Sequence, residues 1–416
     1  MTTPATIPYS HELDWPEGMS PFETVDFEIQ KDPYAHYAWM RQHAPVLRTK
    51  TAARDVWFIS RYDDVRAALR APKVFSSAVV RPQPLVFLTL FDPPEQTRLR
   101  MVVANSFAPK SVQVLQEQIH GYAEGYLDAL LETGGGDVVD RFALRITMAT
   151  ISAVLGIPRE DFHRMKDWSD YVSSYFGRLA RQAPGLDNDE EGANEFFDYL
   201  LDHLKHRAEL TEHETVGSNV ARLMKAGELT ETEAKHFCAF LFTAGHETTT
   251  VLLANAFRLF AENPALLERI RNNPEDAPNF VEEIVRYRGT VHRLTRRTNE
   301  DVEVAGVTIP KDSVVILLPA SANRDETKFE NPDVFDIDRD LSGHLGFGHG
   351  IHACLGQHLA RLEGGIAVNL IAQRIAEVSL DPNDPIQFVT GGNLANSGPS
   401  YLNAKLTGCP VHKDAE

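Results

Sequence analysis

Residues 343–361 read GHLGFGHGIHACLGQHLAR, and the deciding part is Phe347-Gly348-His349-Gly350-Ile351-His352-Ala353-Cys354-Leu355-Gly356. Cys354 stands at the entry to the last helix the pattern predicts, over about 356–376. Backbone N–H groups at a helix start lack partners within the helix, and the dipole there favours negative charge. A thiol so placed is expected to fall below its usual pKa of ~8.5 and to act as a thiolate. Gly348, Gly350 and Gly356 let the backbone approach a flat ligand closely and donate to sulfur. Taken alone, the stretch has two other readings. One is a buried structural cysteine in a tight turn. The other is zinc, because His344, His349, His352, Cys354 and His358 crowd together. Against zinc, no second ligand cluster stands at zinc-site spacing and no Cys-x-x-Cys occurs.

Outward from this loop, the chain has 416 residues, 43% hydrophobic and 24% charged, which excludes the disordered and fibrous classes. Dividing by ~150 residues suggests two or three domains. However, no repeat, low-complexity tract or Gly/Ser linker divides it, so a single domain over 31–410 is expected. An irregular segment, 1–30, would precede it and a tail, 411–416, would follow. The 41 basic and 59 acidic residues give a net charge of −18. That balance argues against nucleic acid or an anionic membrane as partner. Three widely spaced cysteines argue against a disulfide framework and fit a reducing compartment. The start, MTTPATIPYSHELDWPEG, shows no secretory pattern. No unbroken apolar stretch reaches the ~20 residues of a membrane span. A cytoplasmic protein with no membrane partner is expected.

The pattern is mainly α with a minor β region at both ends of the chain. Asp32-Pro33 is expected to open a helix through His43, followed by strands at 46–49 and 56–60 and a helix at 63–70. Residues 74–91 read as an unusually apolar loop. Helices are expected at about 93–107, 111–132, 141–156, 159–180, 189–209 and 215–226. Thr230-Glu231-Thr232-Glu233 has capping-box form. It opens a helix of about 33 residues, ~50 Å long, that ends before Asn263-Pro264. Its middle is apolar almost all round, which marks a core helix. A helix at 277–288, strands at 293–298, 302–304, 307–309 and 313–317, an irregular stretch at 324–342 and strands within 379–408 complete the pattern.

Three further motifs carry chemistry. Ala244-Gly245-His246-Glu247-Thr248-Thr249 interrupts the long helix with residues that suit a buried helix poorly. Thr hydroxyls there can bond the carbonyl four residues back and bend the helix. Gly245 leaves room for a ligand against the backbone, and Glu247 sets an acid beside the Thr248 hydroxyl, which suits proton delivery. Glu283-Ile284-Val285-Arg286 places opposite charges three apart on one helical face, where they can pair. Asp92-Pro93-Pro94-Glu95-Gln96-Thr97-Arg98-Leu99-Arg100 starts a helix at proline and puts Gln96 and Arg100 on one face.

The cysteine loop resembles the haem-binding signature of the cytochrome P450 family, Phe-Gly-x-Gly-x-His-x-Cys-x-Gly, at every fixed position. The resemblance extends over roughly 30–408, with the other motifs in the family's order. It implies one large domain shaped like a triangular prism, with the long helix lying over haem b (iron protoporphyrin IX). It makes Cys354 the iron ligand. It places Gln96, Arg100, Ala244, Arg296, Phe347, Gly348, His352 and Gly356 around the cofactor, with Arg100, Arg296 and Gln96 near the propionates. Many members carry His where Gln96 stands, and Arg293 and Arg297 are close neighbours of Arg296. Glu247 and Thr248 would relay protons to dioxygen, with Glu here where some members have Asp. Glu283 and Arg286 would brace the segment 324–342. The substrate pocket would be walled by loop 78–91 with Val80, Val86, Phe87 and Leu88, by Phe240, by 291–294 with His292 and Leu294, and by 392–395 with Leu394.

The activity so implied is a monooxygenase that places one atom of O2 in a hydrophobic small molecule, by hydroxylation or epoxidation, the other atom leaving as water. No flavin or iron–sulfur motif is present, so electrons from NAD(P)H would come through a separate reductase and a ferredoxin-type partner. Arg70, Lys73, Arg98, Lys110 and Arg361 are candidates for its docking patch. Peroxide-driven oxygenation, haem-dependent rearrangement and a non-catalytic haem sensor are the alternatives. The Glu247–Thr248 pair weighs against all three.

Overall fold

Thr230 and Glu233 cap the element around which the protein is built. The Thr230 hydroxyl accepts from Glu233 N at 3.1 Å, and the Glu233 carboxylate accepts from Thr230 N at 2.7 Å. The computed structural model describes residues 7–23, 26–51, 54–79, 85–181, 187–209, 215–389 and 396–409. Its helices and strands, in chain order, are α1 (Phe27–Lys31), α2 (Tyr34–His43), β1 (Val46–Lys50), β2 (Asp55–Ile59), α3 (Tyr62–Arg70) and β3 (Phe75–Ser76). Next come α4 (Glu95–Val103), α5 (Pro109–Gln113), α6 (Gln116–Leu131), β4 (Gly135–Asp137), α7 (Leu144–Leu155), α8 (Phe162–Arg181), α9 (Asp189–Arg207) and α10 (Val216–Lys225). The capped helix is α11 (Glu231–Glu262), followed by α12 (Pro264–Asn272) and α13 (Ala277–Tyr287). Then follow β5 (Leu294–Thr298), β6 (Val302–Val304), β7 (Val307–Ile309), β8 (Val314–Leu317) and α14 (Pro319–Ala322). The chain closes with α15 (Gln357–Arg374), β9 (Ile375–Leu380), β10 (Gln387–Phe388), β11 (Pro399–Tyr401) and β12 (Asn403–Gly408).

The main sheet has the order β1-β2-β8-β5-β3, antiparallel except where β2 runs parallel to β8. A second sheet joins β4, β12 and β9. By length and composition α11 could cross a membrane, yet most of it is buried inside the protein. Two hydrophobic clusters flank it. Its first half packs with α7 to α10 through residues such as Phe196, Phe237 and Phe242. Its second half packs with α6, α12, α13 and α15 through Phe257, Phe260, Phe280 and Ile371. Gly245 faces α7: a Cβ there would come within 2.7 Å of Ile151 Cδ1. The missing side chain thus makes room for a neighbouring helix.

Several expectations need correction. Asp32 does not cap α2, which has no side-chain cap bond; Asp26 instead caps α1, inside the segment expected to be irregular. Phe22 of that segment is fully buried. The stretch 111–132 breaks into α5 and α6, and 74–91 contains β3 and a turn at Leu88–Leu90. Helix α12 was missed because Pro264, read as a stop, also serves as a first helical residue.

Glu283 and Arg286 are fully buried and paired through two bonds of 2.6 and 2.7 Å. Arg286 also donates to Asn323 O at 2.8 Å and Pro332 O at 2.9 Å, while Glu283 accepts from Asp336 N at 2.9 Å. The pair therefore ties the strand-poor segment 323–336 to α13 with every polar atom used, which is the condition for tolerating a buried charge pair.

Candidate active site

A cavity of about 410 Å3 lies between α11, the loop before α15 and the β5 strand, within the usual range for small-molecule pockets. Cys354 opens onto it, half-exposed to the cavity. The turn that presents it is fixed by Cys354 N donating to Phe347 O at 2.7 Å and Gly348 N donating to Leu345 O at 2.9 Å. Gly348 and Gly350 both have positive φ, and a Cβ on Gly350 would meet Leu69 O at 2.5 Å, so glycine is required there. The thiol pKa is raised, contrary to the expectation from the helix start. Burial outweighs the Gly356 and Gln357 N–H groups and the Arg100 and Arg361 charges that pull it down. A metal cation at the sulfur would reverse that balance.

Behind the loop, Glu282 accepts from Arg361 at 2.6 Å and from His344 Nε2 at 2.7 Å. Against the upward push of burial, these two hold Glu282 down to about 2. Arg361 also lies 4.4 Å over the Phe347 ring.

Two arginines line the cavity near the thiol. Arg296 is buried, and burial pulls it down to about 10. Arg297, its neighbour, turns away to Asp312 at 2.7 Å, and Arg293 packs over the Phe22 and Phe58 rings. Arg100 donates weakly to Ile351 O at 3.4 Å. Among the described residues, neither Arg100 nor Arg296 has a carboxylate within salt-bridge range. A buried cation facing a cavity without a counter-ion fits a ligand that carries negative charge. His352, also on the wall, shares a bond of 2.9 Å with Ser77 Oγ, and burial brings it down to about 4.

Gln96 is the first departure. It does not line the cavity; its amide is buried and donates to Ile351 O at 2.7 Å, bracing the cysteine loop from behind. Ala244, Glu247 and Thr248 all line the cavity. Thr248 Oγ1 donates to Ala244 O at 2.9 Å, the back-bond expected of a helical threonine. Glu247 accepts from Ser173 Oγ at 2.5 Å and from Asn396 Nδ2 at 3.2 Å. Phe347, Gly348 and Gly356 complete the floor.

Of the expected substrate contacts, Phe87, Leu88, Phe240 and Leu294 are on the wall. Phe87 packs at 5.4 Å from Phe240, both expected on the wall, and at 5.8 Å from Phe176, which sequence reading did not name. Val86 and His292 are not on the wall. Val86 is held away by its N–H donating to His236 Nδ1 at 3.2 Å. The His292 ring packs instead against the Tyr34 and Tyr37 rings. Burial, Arg293 and Arg324 drive it down to about 3. Val80, Leu394 and residues 392–395 lie outside the described residues. Ser173, Thr243 and Asn396 also line the cavity without having been foreseen. The only sequence signal was the spacing of Ser169 and Ser173, four apart on one helix face.

Two of the residues expected in the docking patch are paired within the protein. Arg98 is tied to Glu95 and Glu233, and Arg361 to Glu282. Among the described residues Arg70, Lys73 and Lys110 take part in no ion pair.

Residues 22–395 match the family model described as Cytochrome P450. The chain is 35% identical to "Cytochrome P450 109" of Bacillus spizizenii over 86% of this chain and 90% of that protein. It is 31% identical to "Steroid C26-monooxygenase" of Rhodococcus jostii over 95% of this chain and 87% of that protein. Among solved structures, CYP109E1 from Bacillus megaterium in complex with testosterone superposes with a TM-score of 0.81 at 29% identity, covering 91% of this chain and 99% of that one.

Proposed function

The chain belongs to the cytochrome P450 family, a family of haem b monooxygenases, and on that premise we propose which of its residues hold the cofactor, move protons and meet substrate. The observation that carries the reading is one cavity whose floor holds the Cys354 thiol, whose flank holds buried Arg296 and half-buried Arg100 without carboxylate partners, and whose upper wall is Phe87, Phe176 and Phe240. A soft thiolate ligand and two cations beside an apolar-sided space are the donor set that haem, with its iron and two propionates, requires.

Cys354 Sγ would bind the iron, steadied by the Gly356 and Gln357 N–H groups. Arg100, Arg296 and His352 would take the propionates, and Gln96 would hold the loop carbonyl of Ile351 in place. Bound haem supplies the reductive cleavage of dioxygen, one atom entering the substrate and the other leaving as water. Glu247 would gather a proton from solvent and Thr248 Oγ would hold it near the reacting oxygen, which needs the hydroxyl to leave Ala244 O. The apolar wall would exclude bulk water and select a hydrophobic small molecule for hydroxylation or epoxidation. Electrons would come from NAD(P)H through a reductase and a ferredoxin in the cytoplasm. An acidic ferredoxin would meet Arg70, Lys73 and Lys110.

Optical titration with steroid, fatty-acid, terpene, aromatic and macrolide compounds tests the substrate class. Apolar binders are expected to displace water from the iron and shift the Soret band. If only strongly polar compounds do so, the hydrophobic assignment is wrong.

A further inference from the structure

Two serines one turn apart on α8 face two residues one turn apart on α11. Ser169 Oγ donates to Thr243 Oγ1 at 2.9 Å, and Ser173 Oγ donates to Glu247 Oε1 at 2.5 Å. The sequence separation is 74 in both pairs, so the rungs share one register. Residues four apart lie on one helix face, and two such rungs fix how α8 sits along α11. Ser169 and Thr243 are buried, which makes the first rung a protected anchor for the second. Ser173, Thr243 and Glu247 all face the cavity.

The other oxygen of Glu247 is held from a different direction. Asn396 Nδ2 donates to Glu247 Oε2 at 3.2 Å. Asn396 forms a β-bridge with Val291, and Ser397 N donates to Thr290 O at 2.8 Å. Thr290 Oγ1 in turn donates to Thr248 O at 2.9 Å. The acid and the next residue's carbonyl are therefore tied to one tail segment, while α8 grips the acid from the far side.

We infer that Ser173 and Asn396 are positioning residues for the Glu247 carboxylate, aiming it along the cavity wall beside Thr248, and that the register of α8 over α11 sets that aim. The inference rests on the proton-relay reading given above. A flexible carboxylate passes a proton efficiently only when it is held within hydrogen-bond reach of its acceptor. Two donors from opposite sides remove the rotations that would carry it away. Movement of α8 along α11 would then loosen the acid without touching Cys354.

The test uses the haem-loaded full chain, a substrate found by titration, and the variants Ser173→Ala, Ser173→Thr, Asn396→Ala and Glu247→Gln. Ser173→Ala and Asn396→Ala are expected to lower product per NAD(P)H about fivefold each, the effect of one lost hydrogen bond. Substrate affinity from the Soret shift stays within about twofold of the parent. Ser173→Thr, which keeps the hydroxyl, restores most of the yield. Thermal melting gives a readout apart from turnover: the Ser173→Ala and Glu247→Ala shifts are non-additive in the double variant, because each removes the same hydrogen bond. Unchanged yield in Ser173→Ala and Asn396→Ala, with Glu247→Gln impaired, overturns the positioning role and leaves the relay standing. Yield lost only in step with the Soret response also overturns it, since helix packing alone would do that. Full yield in Glu247→Gln overturns the relay itself, and the positioning role with it.

Discussion

At the scale of single residues, burial decides against sequence-based intuition more than once. Cys354 sits near a helix start, and that alone suggested a depressed thiol pKa, but the surrounding protein raises it. The helix N–H groups and two arginines are a partial counterweight that a metal would complete. The cysteine loop was legible because its glycines and its Cys must occur at fixed spacing for the turn to form at all. The facing of His292 and Val86 was not legible, since one residue of rotation decides it. His292 packs into the Tyr34 and Tyr37 cluster, and the Arg293 side chain turns to the Phe22 and Phe58 rings beside it. Two predictions belong here. Thr248→Ala should cut product per NAD(P)H consumed by at least about tenfold while leaving the Soret response to substrate; an unchanged ratio would remove Thr248 from the relay. Arg296→Gln should speed haem loss to apomyoglobin by roughly tenfold, the scale of a charge-assisted bond. Equal rates would show that Arg296 does not meet the propionates.

Among the elements, the long helix was the most readable. Its start carries a reciprocal cap and its end meets Asn263-Pro264, and both lie within a residue or so of expectation. What blurred the pattern was irregular geometry: a π turn at Val139–Ala143 leads into α7, and α5 and α6 are cut by a turn at Val114–Leu115. Such breaks come from tertiary packing and leave no periodic mark. The Glu283–Arg286 pair was recognisable by spacing, yet its depth was not, because an i, i+3 ion pair is ordinarily a solvent-facing feature. With both side chains fully buried, Arg286→Ala would strand Glu283 and three carbonyl contacts. It should cost about 3–5 kcal/mol, as for other buried pairs broken on one side. Chemical denaturation measures it, and a loss below about 1 kcal/mol would mean the pair behaves like a surface bridge.

Across the whole molecule, buried titratable groups set the pH range of stability. Burial pushes His203, His236 and His246 down to about 4 and His292 to about 3, from an ordinary value of 6.5. The unfolded chain therefore binds more protons than the native protein between those values, so their contribution is full above pH 6.5 and is lost as pH falls toward 4. Glu363 acts in the opposite sense. Burial pushes it up to about 8 from 4.5, so the native protein holds a proton that the unfolded chain releases, and stability declines as pH rises through that window. With His352, also brought down to about 4, five histidines outweigh one acid below pH 6.5, and Glu363 opposes them above it. Melting temperature should therefore peak near pH 6.5 and drop steeply on the acid side. Glu363→Gln should flatten the decline above the peak. A parent curve that rises steadily to pH 8 would contradict the role of Glu363.

The account as a whole depends on which atom holds the iron. The direct measurement is the difference spectrum of the reduced, carbon monoxide-treated protein, parent against Cys354→Ala. The parent should give the strongly red-shifted Soret peak that marks thiolate ligation, and the variant should lose it. An unshifted peak in the parent, or the same shifted peak in both proteins, would contradict ligation by Cys354.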